Sequence, residues 1–239
     1  MAFHFASDVH LRLDRPDRGT RFAGWVESLG TGDTIVIVGD LCDFWFASRQ
    51  RYGDARRCDG LAALIRHREA GGRVRIVLGN HDATLGRFYH DRLGAEVVAG
   101  TSDAFEAHGL RVRVAHGHCV GARNPLKGVM ETDAFRRAFS LLPGPVARGL
   151  ETSLDRSNDV HRAASDARHI ANFRDIADSL NGTADLVVFG HAHVALDERR
   201  GASRLIILGD WLDGESSLRL DDRGATLITD RPILSSTTS

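Results

Sequence analysis

Apolar runs that stop at a glycine, an acid or a histidine recur along the chain. Ala2 to Ser7 reads as a short strand, and Asp8-Val-His10 follows its carboxyl end. From Thr20 to Leu29 the residues Phe22, Trp25, Val26 and Leu29 fall on one helical face. Thr34 to Val38 is a continuous β-branched run, the pattern of a strand buried on both faces, and Gly39-Asp40 ends it. Leu61 to Ala70 reads as a helix stopped by Gly71-Gly72. Val74 to Leu78 is a further buried strand, ending in Gly79-Asn80-His81-Asp82. The first third is thus β-α-β-α-β, with polar residues at each strand's carboxyl end, where open α/β sheets bind ligands.

The second half changes character. Ala104 to Ala107 and Leu110 to Ala115 form a hairpin pattern around His108-Gly109 that delivers His116-Gly117-His118. Asp185 to Phe189 is a buried strand that delivers Gly190-His191-Ala192-His193. Val194 to Glu198, Arg204 to Leu208 and Ser217 to Leu220 read as antiparallel strands. Two sheets packed face to face with helices outside are expected. About seventy residues separate His118 from His191, too many for a plain loop. They carry helical spacing at Phe135, Phe139, Leu142, Val146, Leu150 and Leu154, with Pro143-Gly144-Pro145 as a break and a further helix from about Val160 to Leu180. The expected organisation is one domain over 1–230, a helical insertion at about 122–180, and a polar, frayed tail at 231–239.

The five polar clusters share one chemistry. Any one of them could be an ordinary turn or helix cap. All five terminate predicted strands, and together they supply what a two-ion hydrolytic centre needs: a bridging carboxylate and mixed oxygen and nitrogen donors for ions ~3.5–4 Å apart. Asp8 and His10 can be aimed at one ion by a turn. Asp40 is the natural bridge. Asn80 offers a neutral amide oxygen, His116 and His191 serve the second ion, and His193 returns to the first. Carboxylates mixed with imidazoles suit Mn, Fe and Zn better than Ca or Mg.

Composition narrows the class. The 239 residues, 42% of them hydrophobic, suffice for a core, and a net charge of -1 argues against a nucleic-acid surface. Cys42, Cys58 and Cys119 form no pair pattern and read as reduced thiols. No apolar run reaches the ~20 residues of a membrane span, and no removable signal peptide precedes the first cluster. A cytoplasmic protein is expected, with peripheral contact at a membrane left open, as is the oligomeric state.

The order D-x-H, G-D, G-N-H-D, H-G-H and G-H-x-H resembles the calcineurin-like metallophosphoesterases over residues 3 to 220. The resemblance implies an α/β (α+β) chain folded as a four-layer α-β-β-α sandwich around two divalent ions, Mn²⁺ in most bacterial members. It implies Asp8, His10, Asp40 and His193 on one ion, and Asp40, Asn80, His116 and His191 on the other. It further implies in-line attack of water on phosphorus, with His81 reaching the phosphoryl group or the leaving oxygen and Asp82 orienting its imidazole. His118, two residues past His116, is a candidate substrate contact beside His81.

Three further features are similar to the bacterial UDP-2,3-diacylglucosamine pyrophosphatases of lipid A synthesis. They are the segment Gly39-Asp-Leu-Cys-Asp-Phe-Trp-Phe46, the segment Leu208-Gly-Asp-Trp-Leu-Asp-Gly-Glu-Ser216, and the insertion between the His116 and His191 clusters. The resemblance implies hydrolysis of a nucleotide-activated glycolipid to UMP and 2,3-diacylglucosamine 1-phosphate. The insertion would then be a lid over the acyl chains, in transient contact with the inner membrane surface. Arg136, Arg137, Arg148, Arg156, Arg162 and Arg168 flank its apolar positions, as suits an acylated, phosphate-bearing substrate. Two positions depart from that narrower pattern: His81 stands where Arg is common, and His118 where Asp is common. A soluble phosphodiester, nucleotide or phosphoprotein is the alternative substrate, and a binding scaffold with a vestigial site the alternative class.

Overall fold

The computed structural model describes residues 1–13, 15–43, 52–120, 166–212 and 214–234. The aromatics Phe44, Trp45 and Phe46 and most of the expected insertion lie outside the described residues. Among the described residues, eleven strands form two sheets. The first has the order β11-β10-β1-β2-β3-β4, built from β1 (Phe3–Ala6), β2 (Thr34–Val38), β3 (Arg73–Val77), β4 (Glu96–Val97), β10 (Ser216–Asp221) and β11 (Gly224–Thr229). Strands β1 to β4 run parallel, while β10 is antiparallel to β1 and to β11. The second has the order β5-β6-β7-β9-β8, built from β5 (Ser102–Ala107), β6 (Leu110–Ala115), β7 (Leu186–Phe189), β8 (Ala195–Arg200) and β9 (Ser203–Leu208).

Side-chain alternation explains how the layers stack. In β2, Val36 and Val38 join Phe5, Val77, Val112, Val114, Val188 and Ile206 in the core between the sheets. Ile35 and Ile37 point the other way, into a cluster with Phe22 and Val26 of α1 (Pro16–Glu27) and Leu61 and Leu64 of α2 (Asp59–Glu69). In β7, Leu186 and Val188 face the inter-sheet core, whereas Val187 and Phe189 pack against Ile170, Phe173 and Ala177 of α3, the helix at 166–179. The described residues therefore form four layers, α-β-β-α, as expected. Each of these buried aliphatic side chains contributes about 1.5–3 kcal/mol by leaving water. The hairpin turns at His108 and Gly109, with φ of 48° and 74°, the two-residue geometry whose twist suits paired strands.

Some details differ from the sequence expectation. β4 and β11 were not expected; the first is two residues long, and the second lies at the sheet edge with Ile228 exposed. The tail is not frayed where it begins, since Leu234 N–H donates to the Ala195 carbonyl at 2.9 Å.

One buried carboxylate ties the first sheet's strand ends together. Asp82 accepts from the Leu41 N–H at 2.8 Å, the Gly79 N–H at 2.7 Å and the Tyr89 hydroxyl at 3.1 Å. Burial, with Asp40 nearby, pushes its carboxyl up to about 6. Asp82→Ala strands two buried N–H groups, each costing roughly 1–3 kcal/mol. Urea unfolding of the metal-free variant should show at least ~2 kcal/mol of lost stability, and Asp82→Asn should lose less. An Ala variant as stable as the parent protein contradicts the bracing role.

Candidate metal centre

The loops after β1 and β2 run alongside each other beyond their strands. Asp8 N–H donates to the Gly39 carbonyl at 3.1 Å, His10 N–H to the Asp40 carbonyl at 3.0 Å, and Leu11 N–H to the Leu41 carbonyl at 2.8 Å. This pairing holds a conformation that side chains other than glycine rarely adopt. Asp8, His10 and Asp40 have φ of 53°, 49° and 53°, and across the cleft His191 and His193 have 68° and 52°. Left-handed backbone costs an L residue roughly 1–2 kcal/mol. Five such residues in one place mark a site where geometry is held at the expense of local stability. Two glycines make room. A Cβ on Gly79 would lie 2.1 Å from Asp40 Oδ1, and one on Gly39, itself at φ +86°, would lie 2.3 Å from His116 Nδ1.

Both carboxylates are anchored by one oxygen and present the other. Asp8 Oδ2 accepts the His191 N–H at 2.8 Å, and Asp40 Oδ1 accepts the His81 N–H at 2.8 Å. Asp8 Oδ1 then lies 3.4 Å from His193 Nε2 and 3.9 Å from His10 Nε2. Asp40 Oδ2 lies 3.2 Å from His116 Nε2 and 4.0 Å from His10 Nε2, so one oxygen stands between two groups of donors. Asn80 Oδ1 is 3.2 Å from His116 Nε2, and the His191 ring centre is 5.0 Å from that of His116. Asp8, His10 and His193 form one set that could hold a cation; Asp40, His116 and His191 form another. The seven side chains expected as ligands lie close together, and a third set, His10, Asp40 and His81, also lies close enough to share a cation.

The donor set fits a metal. Asp8 Oδ1 and His10 Nε2 are buried without a hydrogen-bond partner among the described residues. Leaving such atoms unpaired costs roughly 1–3 kcal/mol each, and a cation between them removes that cost. The protonation pattern of the bare site is correspondingly strained. Burial raises the Asp8 carboxyl and pushes the His10 imidazolium down to about 3. Burial opposes charge on His116 as well, but Asp40 and Asp8 outweigh it and push the group up to about 10. Burial acts to raise Asp40, yet His116 and His81 hold its carboxyl well below the ordinary range.

The residues expected around the ligands divide. His81 sits beside the centre, its ring 4.7 Å from that of His10. Asp82 does not touch it, because that carboxylate points into the protein as the brace between strand ends. The carboxylate on His81 is Asp43, 2.9 Å from Nδ1. Burial works against charge on His81, but Asp40 and then Asp43 push its imidazolium up to about 9. The sequence reading missed Asp43, although it lies three residues past Asp40 in a segment already singled out. His118 stands at the edge of the second set, its ring 5.4 Å from His116 and 6.4 Å from His191. His169, also missed, projects from α3 to within 4.7 Å of the His191 ring.

The sequence model of the calcineurin-like phosphoesterases matches residues 1–195. A UDP-2,3-diacylglucosamine hydrolase of Stenotrophomonas maltophilia is 27% identical, over 94% of this chain and 97% of its own. One of Porphyromonas gingivalis is 28% identical, over 94% and 95%. A solved archaeal phosphodiesterase has a TM-score of 0.47 at 15% identity, over 96% of this chain and 99% of its own. With the family model spanning both strand-end carboxylates and the imidazoles opposite them, this chain belongs to the calcineurin-like phosphoesterase family.

Proposed function

We propose that this phosphoesterase hydrolyses the pyrophosphate bond of UDP-2,3-diacylglucosamine, giving UMP and 2,3-diacylglucosamine 1-phosphate. The observation that carries the substrate is the end-to-end likeness to relatives bearing that hydrolase name. The chemistry rests on the convergent carboxylate and imidazole donors. Two divalent ions, Mn²⁺ by preference, suit this set of two carboxylates, one amide and four imidazoles. Bound there, such ions supply Lewis acidity to phosphoryl oxygens and make water nucleophilic near neutral pH.

The protein's own groups do the rest. Asp40 holds the two halves of the site at a fixed spacing through its Oδ2, with Oδ1 locked by the His81 N–H. His81, gripped at Nδ1 by Asp43, is the group placed to hand a proton to the leaving phosphate oxygen, from Nε2. Asp82 contributes by fixing the Gly79 turn that carries Asn80 and His81. His118 is proposed as a contact to substrate phosphate. The stretch 122–180 is proposed as the lid over the acyl chains. The enzyme would work in the cytoplasm, touching the inner membrane peripherally. No helix among the described residues is long and apolar enough to cross a membrane.

Three outcomes are expected. Asp40→Ala and His116→Ala should each lose more activity than the roughly 10–100-fold typical of an outer-shell change. Retention of near-parental turnover by either, in protein freed of contaminating metal, counts against the site. Chelation should abolish hydrolysis and Mn²⁺ should restore it, while Gly79→Ala, which crowds Asp40, should need a higher Mn²⁺ concentration for half-maximal rate. On substrates, kcat/KM for UDP-2,3-diacylglucosamine should exceed that for its unacylated parent nucleotide sugar by at least ~100-fold, since burying even a few CH₂ groups is worth ~0.8 kcal/mol each. Equal values would move the substrate to the soluble phosphodiesters or nucleotides.

A further inference from the structure

The segment Leu208-Gly-Asp-Trp-Leu has no part in the chemistry above, yet it touches three pieces of the site's frame. Ser7 Oγ donates to the Gly209 carbonyl at 3.2 Å. The Trp211 N–H donates to the Asp8 carbonyl at 3.2 Å, and the Trp211 indole is wedged against Phe22 and Trp25, with ring centres 5.2 and 5.4 Å away. Between them, buried Asp210 turns its Oδ2 to within 3.4 Å of His193 Nδ1. The other face of that carboxylate is held by Arg231, whose Nη2 is 3.3 Å from Oδ1, and by the Leu212 N–H at 2.9 Å. Arg231 itself begins the stretch that laces along β8, where Leu234 N–H meets the Ala195 carbonyl two residues past His193.

We infer that Asp210, backed by Arg231, is the positioning residue for His193, and that one half of the metal site depends on it while the other does not. The half concerned is Asp8, His10 and His193; the inference rests on the two-ion reading given above. A carboxylate behind an imidazole keeps the proton on the near nitrogen, turns the far nitrogen's lone pair to the cation and makes it more basic. His193 Nε2 does face Asp8 Oδ1, at 3.4 Å. The contrast with the other half supports the assignment. There the His116 Nδ1 meets a backbone carbonyl, that of Val38 at 2.9 Å, so no side chain need be recruited. The last strands of the fold therefore act on catalysis without supplying a ligand.

The test uses metal-free protein titrated with Mn²⁺, read by equilibrium dialysis and by electron paramagnetic resonance. The parent protein should take up two ions and give an exchange-coupled spectrum. Asp210→Asn should lose about 10–100-fold in affinity for one ion, the size typical of outer-shell changes. At a free Mn²⁺ that fills both positions in the parent, it should show one ion with an uncoupled six-line spectrum. Asp210→Glu should recover part of the affinity. Arg231→Gln should shift the same single affinity by a smaller factor, and it carries the test if Asp210→Asn does not fold. Unchanged uptake of both ions by Asp210→Asn overturns the inference, leaving Asp210 as a turn cap on Leu212. An equal fall in both affinities, with a lowered melting temperature of the metal-free variant, overturns it as well. A parent protein that binds fewer than two ions fails the underlying reading, and that is seen before any variant is made.

Discussion

Two carboxylates buried side by side dominate the energetics of this protein. Asp8 and Asp40 are almost fully enclosed at the ends of adjacent parallel strands. Each has one oxygen tied to a backbone N–H, and each turns the other toward imidazoles. Taking a charge out of water costs several kcal/mol unless compensated. Here the imidazoles compensate only in part, since those best placed to carry charge also face one another: His116 is raised while His10 and His191 are lowered. Cations at this site would resolve the conflict, because they satisfy carboxylates and neutral imidazoles together.

The strained backbone follows from the same requirement. A strand running straight on would carry its next side chains to alternate faces. A left-handed residue at Asp8, His10, Asp40, His191 and His193 breaks that alternation and brings successive side chains to one point. Such conformations persist only where the surroundings over-determine them. The loop-to-loop hydrogen bonds between 8–11 and 39–41, the Asp82 brace and the Asp210 bracket are those surroundings. The two-sheet core gives them a rigid base, so the ligands are set by strands rather than by free loops.

Much of this was legible in the chain. Thr34 to Val38 and Leu186 to Phe189 read as strands buried on both faces because their apolar residues are unbroken, and the alternation of their side chains between two clusters bears that out. The candidate ligands stood out because clusters of Asp, His and Asn recur at the ends of apolar runs. What escaped was whatever depends on pairing across long sequence distances. Adjacency in sequence makes Asp82 the expected partner of His81; the Asp82 carboxylate instead meets Leu41, Gly79 and Tyr89, and Asp43, 38 positions from His81, takes that place. Asp210 lay in a segment already noticed, but only the pairing of β9 with β7 and β8 brings it to His193. β11 was overlooked because its exposed Ile228 spoils the alternation expected of a half-buried strand.

On the proposed function, two cations occupy the gap between these side chains and share the carboxylate of Asp40. Crystals grown with saturating Mn²⁺ and measured on both sides of the manganese absorption edge address it directly. Two anomalous peaks ~3.5–4 Å apart, with Asp40 Oδ2 between them, are the expected result. A cleft without anomalous signal, or a single peak that Asp40 does not touch, would contradict it.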